Sequence, residues 1–159
     1  MDKEPITVTG LKNLKSELEN LKNVQRPKVV EAIAEARSHG DLKENAEYHA
    51  AKEKQAFIEG RITELEDVTS RAEVIDLTKL SGETVTFGTK VKIVDEESDQ
   101  ETNYKIVGPY EANLEEGLIS VASPIARALI GKEEGMSVAV TTPSGTKNYE
   151  ILTIEVPKS

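Results

Sequence analysis

The sequence predicts an α+β fold with an antiparallel coiled-coil hairpin over residues 1–76 and a mostly antiparallel β-sheet domain with one short helix over residues 77–159. Three observations lead to this prediction. Apolar residues in the first part recur at alternating spacings of three and four, which is typical of a coiled-coil seam. A short polar bend divides that pattern into two segments. After about Asp76 the apolar alternation changes to period two, which indicates strands.

Composition places the chain among ordered globular or coiled-coil proteins, with 37% hydrophobic and 31% charged residues. No apolar run approaches the roughly 18 to 20 residues that a membrane span needs, so no contact with a membrane is expected. The opening stretch "MDKEPITVTG" lacks the apolar segment of a secretory signal, so we expect a cytoplasmic protein. The absence of cysteine excludes disulfides and thiolate metal sites.

The formal net charge is −9, and neither half of the chain is basic. Affinity for free nucleic acid comes largely from clustered Lys and Arg, which displace counterions from the phosphates. We therefore expect weak or no binding to free nucleic acid. Contact with nucleic acid inside a larger assembly stays open.

The first helical segment has its stripe at the positions Leu11, Leu14, Leu18 and Leu21. Pro27 interrupts the register and predicts a kink or a restart near residues 25–26, since proline is best tolerated in the first turn of a helix. The stripe resumes at Val29, Ile33 and Ala36, and Gly40 stands where a left-handed C-terminal cap is common.

The second helical segment keeps its repeat at Tyr48, Ala51, Gln55, Ile58, Ile62, Leu65, Thr69 and Ala72. Two such helices joined by a short bend form an antiparallel hairpin. At a rise of 1.5 Å per residue each arm would reach on the order of 40 Å. The seam nearest the bend uses small or polar residues, so we expect that end to be slender.

The second half of the chain predicts a hairpin from "TKVKIV" and "NYKIVG" around an acidic turn, followed by strands at "GLISVA", "MSVAVTT" and "NYEILTIEV". The turn "PSG" separates the last two strands. Between them, "SPIARALIG" predicts a short helix with Ser123 as its N-cap, Pro124 in its first turn and Gly131 as its stop.

The bend "SHGDLKENAEYHAA" carries Asp41, Glu44 and Glu47. The simplest interpretation is a capping box, in which Asp41 and Glu44 exchange hydrogen bonds at the start of the second helix. The functional interpretation is that these two carboxylates share one face and converge on Mg²⁺. Two carboxylates bind that ion weakly, so a partner would have to supply the other ligands.

Other candidate constellations are weaker. His39 and His49 lack the spacing of a zinc site, and solvent-exposed histidines are the favoured interpretation. Arg37, Lys43 and Lys52 flank the bend and are either RNA contacts or part of a solvated face. The sequence contains no legible phosphate-binding loop, nucleophile elbow or Ser/His/Asp arrangement.

Two long motifs, "RPKVVEAIAEARSHGDLKENAEYHAAKE" and "LISVASPIARALIGKEEGMSV", closely resemble the bacterial transcript-cleavage elongation factors of the Gre family, in particular its A type. The motifs lie in different halves, and the resemblance covers nearly the whole chain. It implies that the second half is an FKBP-like domain that docks on RNA polymerase beside its secondary channel. The hairpin would then project down that channel.

The resemblance also assigns residues. Asp41 and Glu44 would hold a second Mg²⁺ that is shared with the polymerase and would promote cleavage of backtracked RNA, while the polymerase supplies the first ion. Arg37 and Lys52 would contact the 3′ end of the nascent RNA. Ser123, Pro124 and Ile125 would contact the polymerase. The chain is therefore expected to activate the polymerase's own Mg²⁺-dependent cleavage and not to be an enzyme itself.

Three other functions stay open at this point. An inhibitor or adaptor would occupy a polymerase channel without assisting chemistry, although "DLKEN" lacks the acidic run of related inhibitory factors. A free-standing peptidyl-prolyl isomerase is suggested only by the FKBP-like half, and two Phe and no Trp leave little for an aromatic pocket. A chaperone-like hairpin would need an apolar end, whereas this bend is polar.

Overall fold

The computed structural model describes residues 3–40 and 45–157. The chain divides into two compact units. One contains residues 11–72, and the other combines residues 3–10 with the chain from residue 73 onward. None of the described helices is long and apolar enough to span a bilayer.

The first arm of the hairpin consists of α1 (Val8–Asn20), a π-helical turn (Leu21–Gln25) and α2 (Arg26–Ser38). The second arm is the single helix α3 (Ala46–Arg71). The predicted restart near residues 25–26 is confirmed, because α2 begins at Arg26 and has Pro27 in its first turn. The Arg26 N–H donates to the Leu21 carbonyl, which is a bond over five residues where an α-helix spans four.

The π-helical turn has a cause that can be read in the spacing of the seam. Continued from Leu21, the three-four repeat would place apolar residues at Gln25, Lys28, Ala32 and Glu35. The buried residues lie one position later, at Val29, Ile33 and Ala36. The arm thus holds one residue more than the repeat allows, and a π-helical turn absorbs such a residue without rotating the following helix away from the seam.

The buried seam residues of the hairpin unit are all apolar, and near the end of α3 they depart from the predicted repeat. Val68 is fully buried and occupies the layer for which the repeat predicts Thr69, which is only half-buried. The Thr69 hydroxyl instead donates to the Leu65 carbonyl one turn earlier. The buried seam residues are Leu14, Leu21, Val29, Ile33, Ala36, Ile58, Ile62, Leu65 and Val68.

The other unit is built on a five-stranded sheet. Its strands are β3 (Lys90–Asp95), β4 (Glu101–Val107), β5 (Leu118–Ser120), β6 (Ser137–Thr142) and β7 (Gly145–Glu155). They lie in the order β5-β4-β3-β7-β6. The predicted hairpin between residues 89 and 108 is confirmed, since β3 pairs antiparallel with β4. Strands β3 and β6 both pair antiparallel with β7, whereas β5 pairs parallel with β4.

A small second sheet joins β1 (Glu4–Ile6) to β2 (Ala72–Val74). The Ile75 N–H donates to the Ile6 carbonyl at 3.0 Å and extends this pairing. Residues 3–10, which include the first three residues of α1, are therefore counted with the sheet unit. This assignment differs from the division at residues 76 and 77 that the change of period predicts.

The short helix of the sheet unit, α4 (Pro124–Leu129), forms where the sequence predicts it. Ala126 and Leu129 on its inner face are fully buried and pack into the core of the sheet. Gly131 follows the helix with φ +86°, the left-handed conformation that the predicted stop requires. The core consists of branched aliphatic side chains: Val85, Val91, Ile93, Ile106, Ile119, Val138, Val140, Ile151 and Ile154.

Candidate functional site at the hairpin bend

Asp41 and Glu44, the two acids predicted to bind the metal, lie outside the described residues. The described chain on either side of them consists of Gly40 after α2 and Asn45 before α3. Gly40 has φ +106°, and its N–H donates to the Arg37 carbonyl at 3.4 Å. Gly40 therefore takes the left-handed conformation at the end of the first arm that its position predicts.

The N-cap of α3 is Asn45, which corrects the interpretation that Asp41 caps this helix. Asn45 has an extended backbone (φ −84°, ψ 96°), and its side-chain Oδ1 accepts a hydrogen bond from the Tyr48 N–H at 3.0 Å. A helix cannot pass through a residue with that backbone, so α3 begins only at Ala46. Glu47 lies exposed in the first turn of α3, where the helix dipole favours an acid.

Asn45 also links the two arms. Its Nδ2 donates to the Ala36 carbonyl of α2 at 2.7 Å. Ala36 is the last buried residue of the first arm, and its carbonyl also accepts from the His39 N–H at 3.2 Å. One amide side chain therefore closes the hairpin at the point where the seam ends.

Arg37, a predicted RNA contact, is exposed at the end of α2. Its guanidinium carbon lies 5.9 Å from the centroid of the Tyr48 ring, within the range of a cation–π contact across the two arms. The Tyr48 ring also meets the His49 ring edge to face, with 5.6 Å between centroids. A cation is thus held over a half-buried aromatic surface beside the bend.

Lys52, the second predicted RNA contact, is exposed on α3, and its Nζ lies 3.4 Å from the Gln55 Oε1. His39 and His49 are both exposed. Across residues 3–40 and 45–157 there is no group of three or more His, Asp or Glu side chains that could hold a metal ion. Any metal site at the bend would therefore need residues 41–44 or a partner.

Ion pairs connect the arms farther from the bend. Arg26 and Glu59 form two hydrogen bonds of 2.8 Å, and these bonds raise the pKa of the guanidinium and lower the pKa of the carboxyl. Lys22 lies 2.7 Å from Glu66. Arg61 bonds Glu17 at 2.7 Å, which is the main cause of the raised pKa of that guanidinium.

The predicted polymerase contacts lie together at the start of α4 in the sheet unit. The Ser123 hydroxyl donates to the Ser120 carbonyl at 2.7 Å and accepts from the Ala126 N–H at 3.3 Å. Pro124 is exposed, and Ile125 is half-buried against the core. The loop before α4 is therefore held by side-chain hydrogen bonds and presents a proline to solvent.

Asn45 and Tyr48 are the residues that the sequence interpretation missed as parts of this site. The helical repeat places Tyr48 only in the seam, and the sequence analysis assigns no role to Asn45. A signal was available, because Asn is among the preferred N-caps and "NAEY" places it three residues before Tyr48. The acidic "DLKE" directly before it matched the capping-box pattern more closely.

Two protein-family models match the chain, one in each half. "Transcription elongation factor, N-terminal" matches residues 4–74, and "Transcription elongation factor, GreA/GreB, C-term" matches residues 80–156. The chain is similar to the transcription elongation factor GreA of Rhodospirillum rubrum, with 62% identity over 151 residues that cover 95% of this chain and 96% of that protein. It is 61% identical to the GreA of Ruegeria pomeroyi over 155 residues, covering 98% of this chain and 99% of the relative.

Among solved structures, the chain is similar to the Gfh1 protein of Thermus aquaticus. The two share 29% identity, and the match covers 98% of this chain and 99% of the other, with a TM-score of 0.45.

Proposed function

Because the chain belongs to the GreA/GreB family of transcription elongation factors, we propose that it binds RNA polymerase at the secondary channel and stimulates cleavage of backtracked RNA. In this proposal the polymerase active site performs the cleavage and the chain contributes ligands and positioning. The protein would work in the cytoplasm, where a bacterial polymerase meets its transcripts.

One observation in the described residues supports this role most directly. The arms end in a closure made by Asn45, Ala36 and Tyr48, and residues 39–45 connect α2 to α3. The acids Asp41 and Glu44 thus belong to a short connection between two long helices. An elongated hairpin with acids at its end is suited to reach a metal inside a channel of another protein.

The donor set fits a shared Mg²⁺. Carboxylate oxygens are the ligands this ion prefers, and two of them fill only part of its six-fold coordination. The ion, when bound, would stabilise charge on the reacting phosphate and activate water, as in other two-metal sites. Asp41 and Glu44 would hold it from one side, and the polymerase and RNA phosphate oxygens from the other.

The basic residues beside the bend would orient the RNA. Arg37 is exposed and lies over the Tyr48 ring, so its side chain has fewer conformations to lose when it contacts phosphate. Lys52 would add a second positive charge. The exposed start of α4, with Ser123, Pro124 and Ile125, would contact the polymerase surface.

The decisive experiment adds the purified protein to a backtracked polymerase complex with Mg²⁺ and measures the release of short 3′ RNA fragments. Asp41→Asn removes a proposed ligand without changing the size of the side chain. We expect cleavage to fall by about 100-fold or more, because a direct ligand matters at least as much as the groups that orient ligands. Binding to the polymerase should stay within about twofold.

Glu53→Gln is the matched control, since it removes one exposed carboxylate from α3 without touching the bend. This variant should stimulate cleavage as strongly as the unmodified protein. Full stimulation of cleavage by Asp41→Asn would reject the role of that residue. Slower RNA synthesis without any shortened RNA would instead identify a channel-blocking inhibitor.

A further inference from the structure

We propose that Asn45 is a positioning residue for cleavage, because its single amide group caps both helix ends that flank Asp41 and Glu44. The proposal rests on the function proposed above and assigns a residue to it that does not itself contact RNA or metal. Asn45 would act by holding the two ends of the acidic connection at a fixed separation.

The two hydrogen bonds of Asn45 run in opposite directions along the hairpin. Its Oδ1 accepts from the Tyr48 N–H, one of the N–H groups that an α-helix leaves without a partner at its start. Its Nδ2 donates to the Ala36 carbonyl, one of the carbonyls left over at the end of α2. The same side chain therefore supplies an acceptor to one helix and a donor to the other.

Few side chains can replace Asn in this position. Asp provides only acceptors when ionised, so it would cap α3 but would set a carboxylate oxygen against the Ala36 carbonyl. Ser is a comparable N-cap but has a single polar atom, which cannot reach both partners. Gln carries the same amide on a chain that is one methylene longer.

Neighbouring contacts support the hydrogen bond between Asn45 and the Ala36 carbonyl. Ala36 is only 3% exposed and belongs to the last apolar layer of the seam, so the carbonyl that Asn45 bonds is anchored. The contact of Arg37 with the Tyr48 ring joins the same two arms beside it. On the other side of the connection, the Gly40 N–H is bonded to the Arg37 carbonyl.

Anchoring both ends of a short connection reduces the number of conformations it can adopt. A pair of carboxylates on such a connection loses less entropy when both bind one ion, so the ion is bound at a lower concentration. Loss of the cross-arm bond should therefore weaken the response to Mg²⁺. It should leave the docking of the protein on the polymerase unchanged.

The test compares Asn45→Asp and Asn45→Ser with the unmodified protein in the backtracked-complex assay, while Mg²⁺ and factor concentrations are varied separately. Both variants keep a cap for α3 and lose the donor to Ala36, and the Ser variant adds no charge. We expect the Mg²⁺ concentration for half-maximal cleavage to rise by about 10-fold in both, as for other groups that orient metal ligands. The factor concentration for half-maximal cleavage should stay within about twofold.

Asn113→Asp is the matched control in the sheet unit. Asn113 is an exposed cap whose Oδ1 accepts from the Glu115 N–H at 3.2 Å, so the change adds the same charge and keeps the same kind of cap. It should leave both concentrations unchanged. If either Asn45 variant keeps the normal Mg²⁺ response, or loses activity only through weaker docking, the positioning role is wrong.

Amide hydrogen exchange on the free protein separates the two proposals. Asn45→Ser should leave exchange at Tyr48 slow, since the cap is kept, and should accelerate exchange at His39 and Gly40, whose N–H groups bond the end of α2. Absence of cleavage by the unmodified protein would overturn the proposed function together with the positioning role. Unchanged exchange at His39 and Gly40 would overturn the double cap whatever the cleavage assay shows.

Discussion

The hairpin and the sheet unit bury their apolar residues in different ways. In the hairpin, one line of side chains separates two helices, and the polar partners beside it, such as Arg26 with Glu59, keep 40% and 46% of their surface exposed. In the sheet unit, α4 and five strands enclose a continuous core in which Val85, Val91 and Ile151 are fully buried. Each seam layer of the hairpin thus has few neighbours, whereas each core residue of the sheet has several.

This difference suggests how the two units respond to local damage. A layer lost from a linear seam affects mainly its immediate neighbours. A residue lost from an enclosed core weakens contacts to several strands at once.

The largest effect is expected from a matched pair of core truncations. Ile151→Ala in β7 should lower the free energy of unfolding by about 4 kcal/mol, and Ile62→Ala in the seam by about 2 kcal/mol, both within the range for such changes. The hairpin should lose less because its helices can close on the missing side chain. Urea unfolding, followed by far-ultraviolet circular dichroism for the helices and by tyrosine fluorescence, would measure both.

Ile151 and Ile62 are 0% and 2% exposed, so the two side chains are almost equally buried. They differ mainly in how many elements surround them. Equal losses would contradict the contrast between linear seam and enclosed core.

A smaller effect is expected at a polar side chain of the sheet unit. The Glu111 carboxylate accepts hydrogen bonds from the Thr7 and Gly108 N–H groups at 3.2 and 3.0 Å and from the Thr7 hydroxyl. Thr7 is only 2% exposed, so Glu111→Ala would leave its buried N–H without this acceptor. Thermal unfolding should show a loss of about 1 to 3 kcal/mol.

Glu115→Ala is the control for this change, because Glu115 is an exposed acid a few residues along the same loop. Its effect should stay within about 0.5 kcal/mol. A similar loss in both variants would mean that the hydrogen bonds of Glu111 to Thr7 and Gly108 add nothing to stability beyond what an exposed acid contributes.

The smallest effect concerns the exposed ion pairs of the hairpin. Hydrogen bonds from Arg26 lower the pKa of Glu59, so this pair stabilises the fold above the ordinary glutamate pKa, and the contribution is lost as the pH falls through the lowered value. Glu59→Gln should therefore cost little at neutral pH and nothing at low pH. Salt should also reduce the cost, because exposed charges are screened.

Thermal unfolding at several pH and salt values would check this expectation. A loss in Glu59→Gln that grows as the pH falls would reverse the predicted sign. Lys79→Gln, in a short 3₁₀ turn of the sheet unit, provides an exposed charge change outside the hairpin for reference.

Local patterns of the sequence were sufficient for most of the fold. The spacing of Ile58, Ile62 and Leu65 identified one arm because a helical seam repeats over many residues. Ser123, Pro124 and Gly131 defined α4 through their own backbone preferences. In each case the information lies within a few residues of the element it predicts.

Other features depend on residues distant in the chain. β1 and β2 have three residues each, too few to show alternation, and they exist because they pair with each other. The parallel pairing of β5 with β4 cannot be predicted from the alternation of apolar and polar residues in either strand. At the bend, Asn45 is one of several polar residues in the sequence, and its role depends on the bond to Ala36 in the other arm.

The π-helical turn at Leu21–Gln25 has a consequence for how such a hairpin can change length. Two antiparallel helices normally have to gain or lose residues in whole repeats, because a single insertion turns everything beyond it out of the interface. Here one arm carries a surplus residue while Val29 and Ile33 still meet the opposite helix. Small insertions or deletions near this turn are therefore a route by which evolution or design could alter the reach of the arm without rebuilding its interior.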